Sequence, residues 1–159
     1  MRKRVICVGL ALICLMLISA SASAQTSRKS VSAAEVNGTY GMSFRGKFRK
    51  FTNDIKLLAL GKGKVRVAMD LLYPIALPGG EHTVNMGFLD GEASIQRDVA
   101  TYHSDEFGPC TITIKFVRPG TIKVTQDGTD ADCGFGHNVT ADGTYRKVNS
   151  RKPTFEHID

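Results

Sequence analysis

Apolar and polar residues alternate along most of the chain with a period of two, in short runs separated by glycine, proline and Asp-Gly. Beyond residue 35 no stretch of ten or more residues shows helical periodicity, and a single helical turn is predicted at Ser32–Glu35. The clearest strand is Lys64–Tyr73, whose apolar face consists of Val65, Val67, Met69, Leu71 and Tyr73. This pattern predicts an all-β protein.

The same alternation predicts further short strands along the chain. Gly61 and Gly63 indicate a hairpin before Lys64, and Asp90-Gly91 is interpreted as a turn between two strands. The predicted strands are Asp54–Leu60, His82–Leu89, Glu92–Arg97, Val99–His103, Cys110–Val117, Thr121–Gln126 and Asn138–Val148.

Two strands with apolar faces flank the turn signal Pro119-Gly120. A two-residue turn there would place Phe116 opposite Lys123, and a slip of one residue turns every side chain to the other face. We therefore expect a connection with an odd number of residues, such as Arg118–Gly120. That connection aligns Phe116 with Ile122 and places both in the core.

One short motif occurs near both ends of the predicted domain. Val36–Tyr40 reads VNGTY and Ala141–Tyr145 reads ADGTY, with nothing else repeated between them. We interpret the echo as a meeting of the first and last strands, which removes the free edges of the sheet. The prediction is a small antiparallel β-barrel of about eight strands over residues 36–148, with a β-sandwich as the alternative.

The N-terminus has the pattern of a signal peptide. Arg2–Arg4 is followed by the apolar run Val5–Ile18 and by small residues up to Ala24, where cleavage is predicted. An uncleaved anchor is the alternative, but a membrane span needs about 20 apolar residues. Residues 1–24 are therefore predicted as a signal peptide, 25–35 as a flexible linker and 149–159 as a C-terminal tail, and a periplasmic or secreted location is expected, with no transmembrane segment after cleavage.

Cleavage changes the charge and the cysteine count. The whole chain carries 21 basic and 15 acidic residues, and three of the basic ones lie in the signal peptide, so the mature charge is about +3. Such a charge gives no reason to expect nucleic acid as a partner. Of four cysteines only Cys110 and Cys133 remain, and in an exported chain they predict one disulfide that contributes about 3 kcal/mol.

The residues around these cysteines could also suggest chemistry, but each such interpretation is weak. Cys133 and His137 lack the paired spacing of zinc sites, and the glycines of CGFG are not followed by Lys-Ser/Thr. In YHSDE, His103, Ser104 and Asp105 are consecutive, and on an extended chain they point to opposite faces. We predict no catalytic residue, no metal and no cofactor, and we do not expect an enzyme.

A basic and aromatic stretch, Ser43–Phe51, is the best candidate binding site. Its cations are interleaved with phenylalanines around Gly46, an arrangement that suits an anionic polymer or a lipid headgroup. The alternative is an ordinary solvated basic face of a strand or loop. The candidate anion-binding residues are Arg45, Lys47, Phe48, Arg49 and Lys50.

Residues 90–148 resemble small periplasmic β-barrel domains of the lysozyme-inhibitor-like kind. The resemblance rests on a Cys-initiated strand, CTITIKF, a cysteine-glycine corner, DCGFGHNV, and a closing strand, DGTYRKV. It implies a periplasmic barrel fold. An inhibitor of a cationic lysozyme would be expected to carry a negative contact surface, whereas this chain is mildly positive, so no inhibitory residue is assigned.

The sequence therefore predicts an exported, non-enzymatic binding protein that contacts an envelope polymer, an anionic lipid or a secreted protein. Inhibition of lysozyme or another hydrolase is one alternative. A carrier of a small apolar ligand is another, because a barrel of eight strands can enclose such a ligand or fill with side chains.

Overall fold

Eight antiparallel strands close into a barrel in this protein, for which a computed structural model describes residues 30–155. Each strand pairs with the next along the chain, and the last pairs with the first. The closed sheet confirms the predicted all-β barrel and excludes the sandwich alternative. The strands are β1 Gly38–Ser43, β2 Thr52–Gly61, β3 Lys64–Ala76, β4 His82–Gln96, β5 Val99–Ser104, β6 Cys110–Arg118, β7 Thr121–Asp127 and β8 Gly143–Asn149.

One short helix, α1 (Ala33–Val36), precedes β1, and 3₁₀ turns lie at Gly46–Phe48 and Pro78–Gly80. The helix begins one residue after the predicted start because Ser32 is its N-cap, in a capping box with Glu35. The predicted signal peptide lies outside the described residues, as do the first part of the linker and the last four residues of the tail.

Side chains fill the interior of the barrel. A chamber that held an apolar ligand would leave its lining accessible to a water-sized sphere. The packing therefore argues against a carrier, because the inward-facing residues are only 0 to 3 % exposed. They include Val65, Val67, Met69, Ile112, Ile114, Phe116 and Val124.

Tyr73 is the one residue of the predicted apolar face of β3 that is exposed, with 40 % of its surface accessible. The β2–β3 ladder ends at Asp70, whereas β3 and β4 stay paired as far as Ala76 and His82. Tyr73 thus lies on a two-stranded extension, past the part of β3 that β2 covers. Alternation gives the face of a strand but not the length of its neighbours, so the sequence pattern does not show that this position is exposed.

Asp90-Gly91 lies inside β4 and does not form the predicted turn. Pairing with β3 continues through it without interruption, and Gly91 lies opposite Val67. A Cβ added at Gly91 would lie 2.5 Å from the ring of Tyr102. The glycine therefore marks the close approach of an aromatic ring, which a strand glycine can do as well as mark a break.

The predicted register of β6 and β7 is confirmed, with Phe116 opposite Ile122. The ladder then shifts, so that Arg118 pairs with Thr121 and Val117 is the extra residue of a bulge. The extra residue that the register requires therefore lies in β6 as a bulge, and Pro119-Gly120 forms a two-residue turn.

Two tyrosines explain the echo of NGTY and DGTY. Tyr40 in β1 and Tyr145 in β8 are fully buried, and their strands are neighbours. The Tyr40 hydroxyl donates to the carbonyl oxygens of Glu35 and Val36, and the Tyr145 hydroxyl donates to that of Ala141. Because β1 and β8 are antiparallel, the two phenols close opposite ends of the barrel.

The corner segment, Gly128–Asp142, links β7 to β8 and covers one end of the barrel. The predicted strand from Asn138 was wrong in its first residues, because Asn138 has a left-handed φ of 63° and β8 begins only at Gly143. Phe135 and Val139 of the segment are buried. The corner segment is thus a cap over this end of the barrel. Sequence alternation does not predict it, because its buried residues lie in turns and not in strands.

The Cys110–Cys133 disulfide is confirmed, with 5.0 Å between the Cα atoms. It ties the corner segment to the start of β6. Gly87 of β4 receives the other side of the cap, since a Cβ there would lie 2.8 Å from Val139 and 2.9 Å from Phe135. The cap is therefore fixed both covalently and by packing.

Candidate functional site

The basic loop, Phe44–Phe51, connects β1 to β2 at the same end of the barrel as the corner segment. Its ends are joined by a hydrogen bond of 3.2 Å from the Phe44 N–H to the Phe51 carbonyl oxygen. Gly46 begins the 3₁₀ turn with a φ of 60°, a conformation that favours glycine. The loop is thus a closed turn.

Aromatic contacts hold the basic loop against the β3–β4 hairpin. The ring of Phe48 lies edge-on to the imidazole of His82 at 5.2 Å between centroids, and Phe51 lies 6.4 Å from the same ring. All three side chains are half-buried. The phenylalanines therefore position the loop, and the surface that they leave to a ligand is mainly charged.

The cations of the basic loop all face solvent. Arg45, Lys47, Arg49 and Lys50 are exposed, and none of them forms an ion pair with a carboxylate in the part of the chain that the structure describes. The Lys47 and Lys50 ammonium groups lie 5.2 and 5.4 Å from the ring centroids of the phenylalanines that follow them. Their charge is therefore available to an external anion.

A shallow depression of about 460 Å³ lies between the basic loop and the β3–β4 hairpin. The structure brings three of the predicted cations together there, while Arg45 is outside the lining. Glu81 is the one acidic residue of the lining, so positive charge dominates. The lining consists of Lys47, Arg49, Lys50, Gly80, Glu81 and His82.

The residues that the β3–β4 hairpin adds to the lining of the depression were not predicted from the sequence. Gly80, Glu81 and His82 follow a proline-glycine turn and carry no motif. Only the length of the β3–β4 extension brings them to the basic loop, and the predicted strands were too short to show it.

His103 forms a chain of polar contacts on the surface. Its Nδ1 lies 3.1 Å from the Thr111 hydroxyl, and its Nε2 lies 3.1 Å from an Asp105 carboxylate oxygen. Ser104 takes no part, because its hydroxyl accepts a hydrogen bond from the Glu106 N–H. The His103 and Asp105 side chains are 56 and 74 % exposed, so water competes for both contacts.

His137 has its ring in solvent, with 82 % of the side chain exposed and Asp130 at 3.6 Å. Its carbonyl oxygen accepts a hydrogen bond of 2.7 Å from the Asn85 amide, which joins the corner segment to β4. Within residues 30–155, no group of three or more His, Cys, Asp or Glu side chains is placed to hold a metal ion.

No protein-family model, curated protein or solved structure matches this chain. The resemblance of residues 90–148 to lysozyme-inhibitor-like domains therefore stays a prediction. No helix of the described chain is both long enough and apolar enough to span a bilayer.

Proposed function

We propose that this is an exported, non-enzymatic binding protein whose basic loop contacts a phosphate-bearing anionic component of the cell envelope. Export is supported by the signal-like pattern of residues 1–24 together with the Cys110–Cys133 disulfide, a bond typical of oxidising compartments. Binding is supported by the three exposed cations that line one depression, Lys47, Arg49 and Lys50.

The observation that carries the proposal is the combination of fixed aromatic rings with exposed cations that have no carboxylate partner among residues 30–155. Phe48 and Phe51 pack on His82, so the loop needs no ligand in order to be held in place. A binding loop that is already ordered loses little conformational entropy when it binds. Each cation near an anionic surface contributes on the order of 1 kcal/mol, and salt weakens the contribution.

The test compares the purified protein on vesicles that contain phosphatidylglycerol, on neutral phosphatidylcholine vesicles, and with soluble polyphosphate. The variant Lys47→Glu/Arg49→Glu/Lys50→Glu reverses the three charges that line the depression. The matched control, Lys115→Glu/Lys123→Glu/Arg146→Glu, reverses three exposed charges on β6, β7 and β8. The two variants have the same net charge.

We expect the loop variant to lose at least about 100-fold in affinity for phosphatidylglycerol vesicles or polyphosphate, because three favourable contacts become repulsive. The control variant should lose less than about tenfold. Binding only to phosphatidylglycerol vesicles identifies a lipid headgroup as the source of the phosphate, binding only to polyphosphate identifies a polymer, and binding to both shows that the loop recognises the phosphate group itself. The proposal is contradicted if the protein binds neither phosphatidylglycerol vesicles nor polyphosphate, or if the two variants lose affinity equally.

A further inference from the structure

β4 separates from β5 long before either strand ends. Their ladder covers only three pairs, from Gln96↔Val99 to Ser94↔Thr101. β5 continues along β6 as far as Ser104, and β4 continues along β3 as far as His82. Between Phe88 and Glu92 the barrel therefore has a seam, at which β4 presents an edge without a strand partner among the described residues.

Backbone hydrogen bonds show which groups point into this seam. The Ile95 N–H donates to the Gly63 carbonyl oxygen, and the Glu81 carbonyl oxygen accepts from the Leu77 N–H. The backbone N–H and C=O groups of the odd-numbered residues of β4 therefore face β3. The Met86 carbonyl instead accepts from Gly136 of the corner segment, on the opposite edge. Since the direction alternates along a strand, the N–H and C=O groups of the even residues between them face the seam. These residues are Phe88, Asp90 and Glu92.

Exposed aromatic side chains flank the seam. Phe88 is 55 % exposed and Phe107, in the β5–β6 loop, is 66 % exposed. The two phenylalanines line one narrow cleft of about 100 Å³. Its inner side is closed by Tyr102, whose ring packs against Gly91.

The charge of the cleft is negative. Its lining includes Asp90, Glu106 and Asp132, and it includes no lysine or arginine. Both carboxylate oxygens of Asp90 accept from the Arg66 guanidinium, at 3.1 and 3.0 Å, so the net negative charge of the cleft rests on Glu106 and Asp132. Thr129 hydrogen bonds lower the pKa of Asp132, which therefore keeps its charge. The cleft is thus opposite in sign to the basic loop.

We propose that the seam binds an extended, basic segment of another polypeptide, which pairs as an additional strand with Phe88–Glu92. Strand addition supplies main-chain hydrogen bonds to an open sheet edge. A lysine or arginine of the segment lies between the rings of Phe88 and Phe107, in the cleft that Glu106 and Asp132 also line, where cation–π attraction and opposite charge act together. The site is separate from the basic loop and does not depend on its function.

The test follows amide hydrogen exchange by NMR in the purified protein with three short, end-blocked peptides. One peptide alternates valine and lysine, the second replaces lysine by glutamate, and the third is the lysine peptide N-methylated at alternate residues. We expect the first to slow exchange at Phe88, Asp90 and Glu92 by about tenfold or more. Leu89 and Gly91, which face β3, serve as internal references.

The glutamate peptide should leave exchange unchanged, because its negative charge is repelled by the acidic cleft. The N-methylated peptide should also leave exchange unchanged, because it lacks N–H groups that a paired strand would donate. Phe88→Ser and Phe107→Ser should each weaken binding of the lysine peptide by about tenfold. Val148→Ser, at a side chain that is also 66 % exposed, is the matched control and should leave it unchanged. No slowing with the lysine peptide, or equal slowing with either other peptide, overturns the proposal.

Discussion

At the scale of single residues, two buried tyrosines close the barrel, because the Tyr40 hydroxyl donates to carbonyl oxygens of α1 and the Tyr145 hydroxyl donates to that of Ala141. The repeated Asn/Asp-Gly-Thr-Tyr motif was enough to predict that the first and last strands meet. It could not predict the bonds of the phenols, because the acceptors lie in α1 and in the corner segment, whose conformations alternation does not determine. The motif is thus structural, and it fixes both ends of the barrel.

Removal of either hydroxyl should destabilise the barrel. Tyr40→Phe and Tyr145→Phe should each lower the free energy of unfolding by about 1 kcal/mol, since each leaves a buried carbonyl without its donor. Thermal unfolding measures the loss. Tyr73→Phe, at an exposed position, is the control and should change stability little.

The same phenols predict a loss of stability in alkali. Burial raises the pKa of Tyr40 and Tyr145 above the ordinary value of 10.0. The folded state therefore holds these protons more tightly than the unfolded state, and stability falls as the pH rises above about 10. The double phenylalanine variant should show a smaller fall between neutral pH and pH 11, and an identical fall would contradict this assignment.

At the scale of elements, sequence alternation identified the paired strands but not the segments held by turns. The register of β6 and β7 followed from the two apolar faces alone. The continuity of β4 did not, because Asp90-Gly91 is as typical of a turn as of a strand that makes room for an aromatic ring. The candidate site was predicted only in part for the same reason. Its cations were identified from the sequence, whereas Glu81 and His82 were not.

The corner segment should become less stable at acidic pH. Hydrogen bonds from the Asn138 and Ala131 N–H groups lower the pKa of Asp130, and bonds from the Thr129 hydroxyl and N–H lower that of Asp132. Their contribution to stability is therefore present above the unfolded pKa near 3.8 and is lost as the pH falls through the lower folded values.

NMR of the segment provides the measurement. The amide signals of Thr129 and Asn138 should shift together below about pH 4, and Asp130→Asn/Asp132→Asn should abolish the transition. Asp127→Asn, at an exposed residue just before the segment, is the control and should keep it. A transition that survives in the double variant would show that other groups control the corner.

At the scale of the whole molecule, alternation of up and down strands places unlike connections at the two ends. One end has short turns such as Pro119-Gly120. The other gathers the basic loop, the β3–β4 extension, the β5–β6 loop and the disulfide-bonded corner. This end carries the positive depression on one side and the acidic seam on another, so one rigid scaffold presents two surfaces of opposite charge.

The central claim is that the basic loop binds phosphate through its exposed cations. The salt dependence of polyphosphate binding tests this claim most directly. The logarithm of the association constant should fall linearly with the logarithm of salt concentration. Lys47→Gln, Arg49→Gln and Lys50→Gln should each reduce the slope by about one unit, and Lys123→Gln on β7 should leave it unchanged. Equal slopes in all four variants and the original protein would contradict the account.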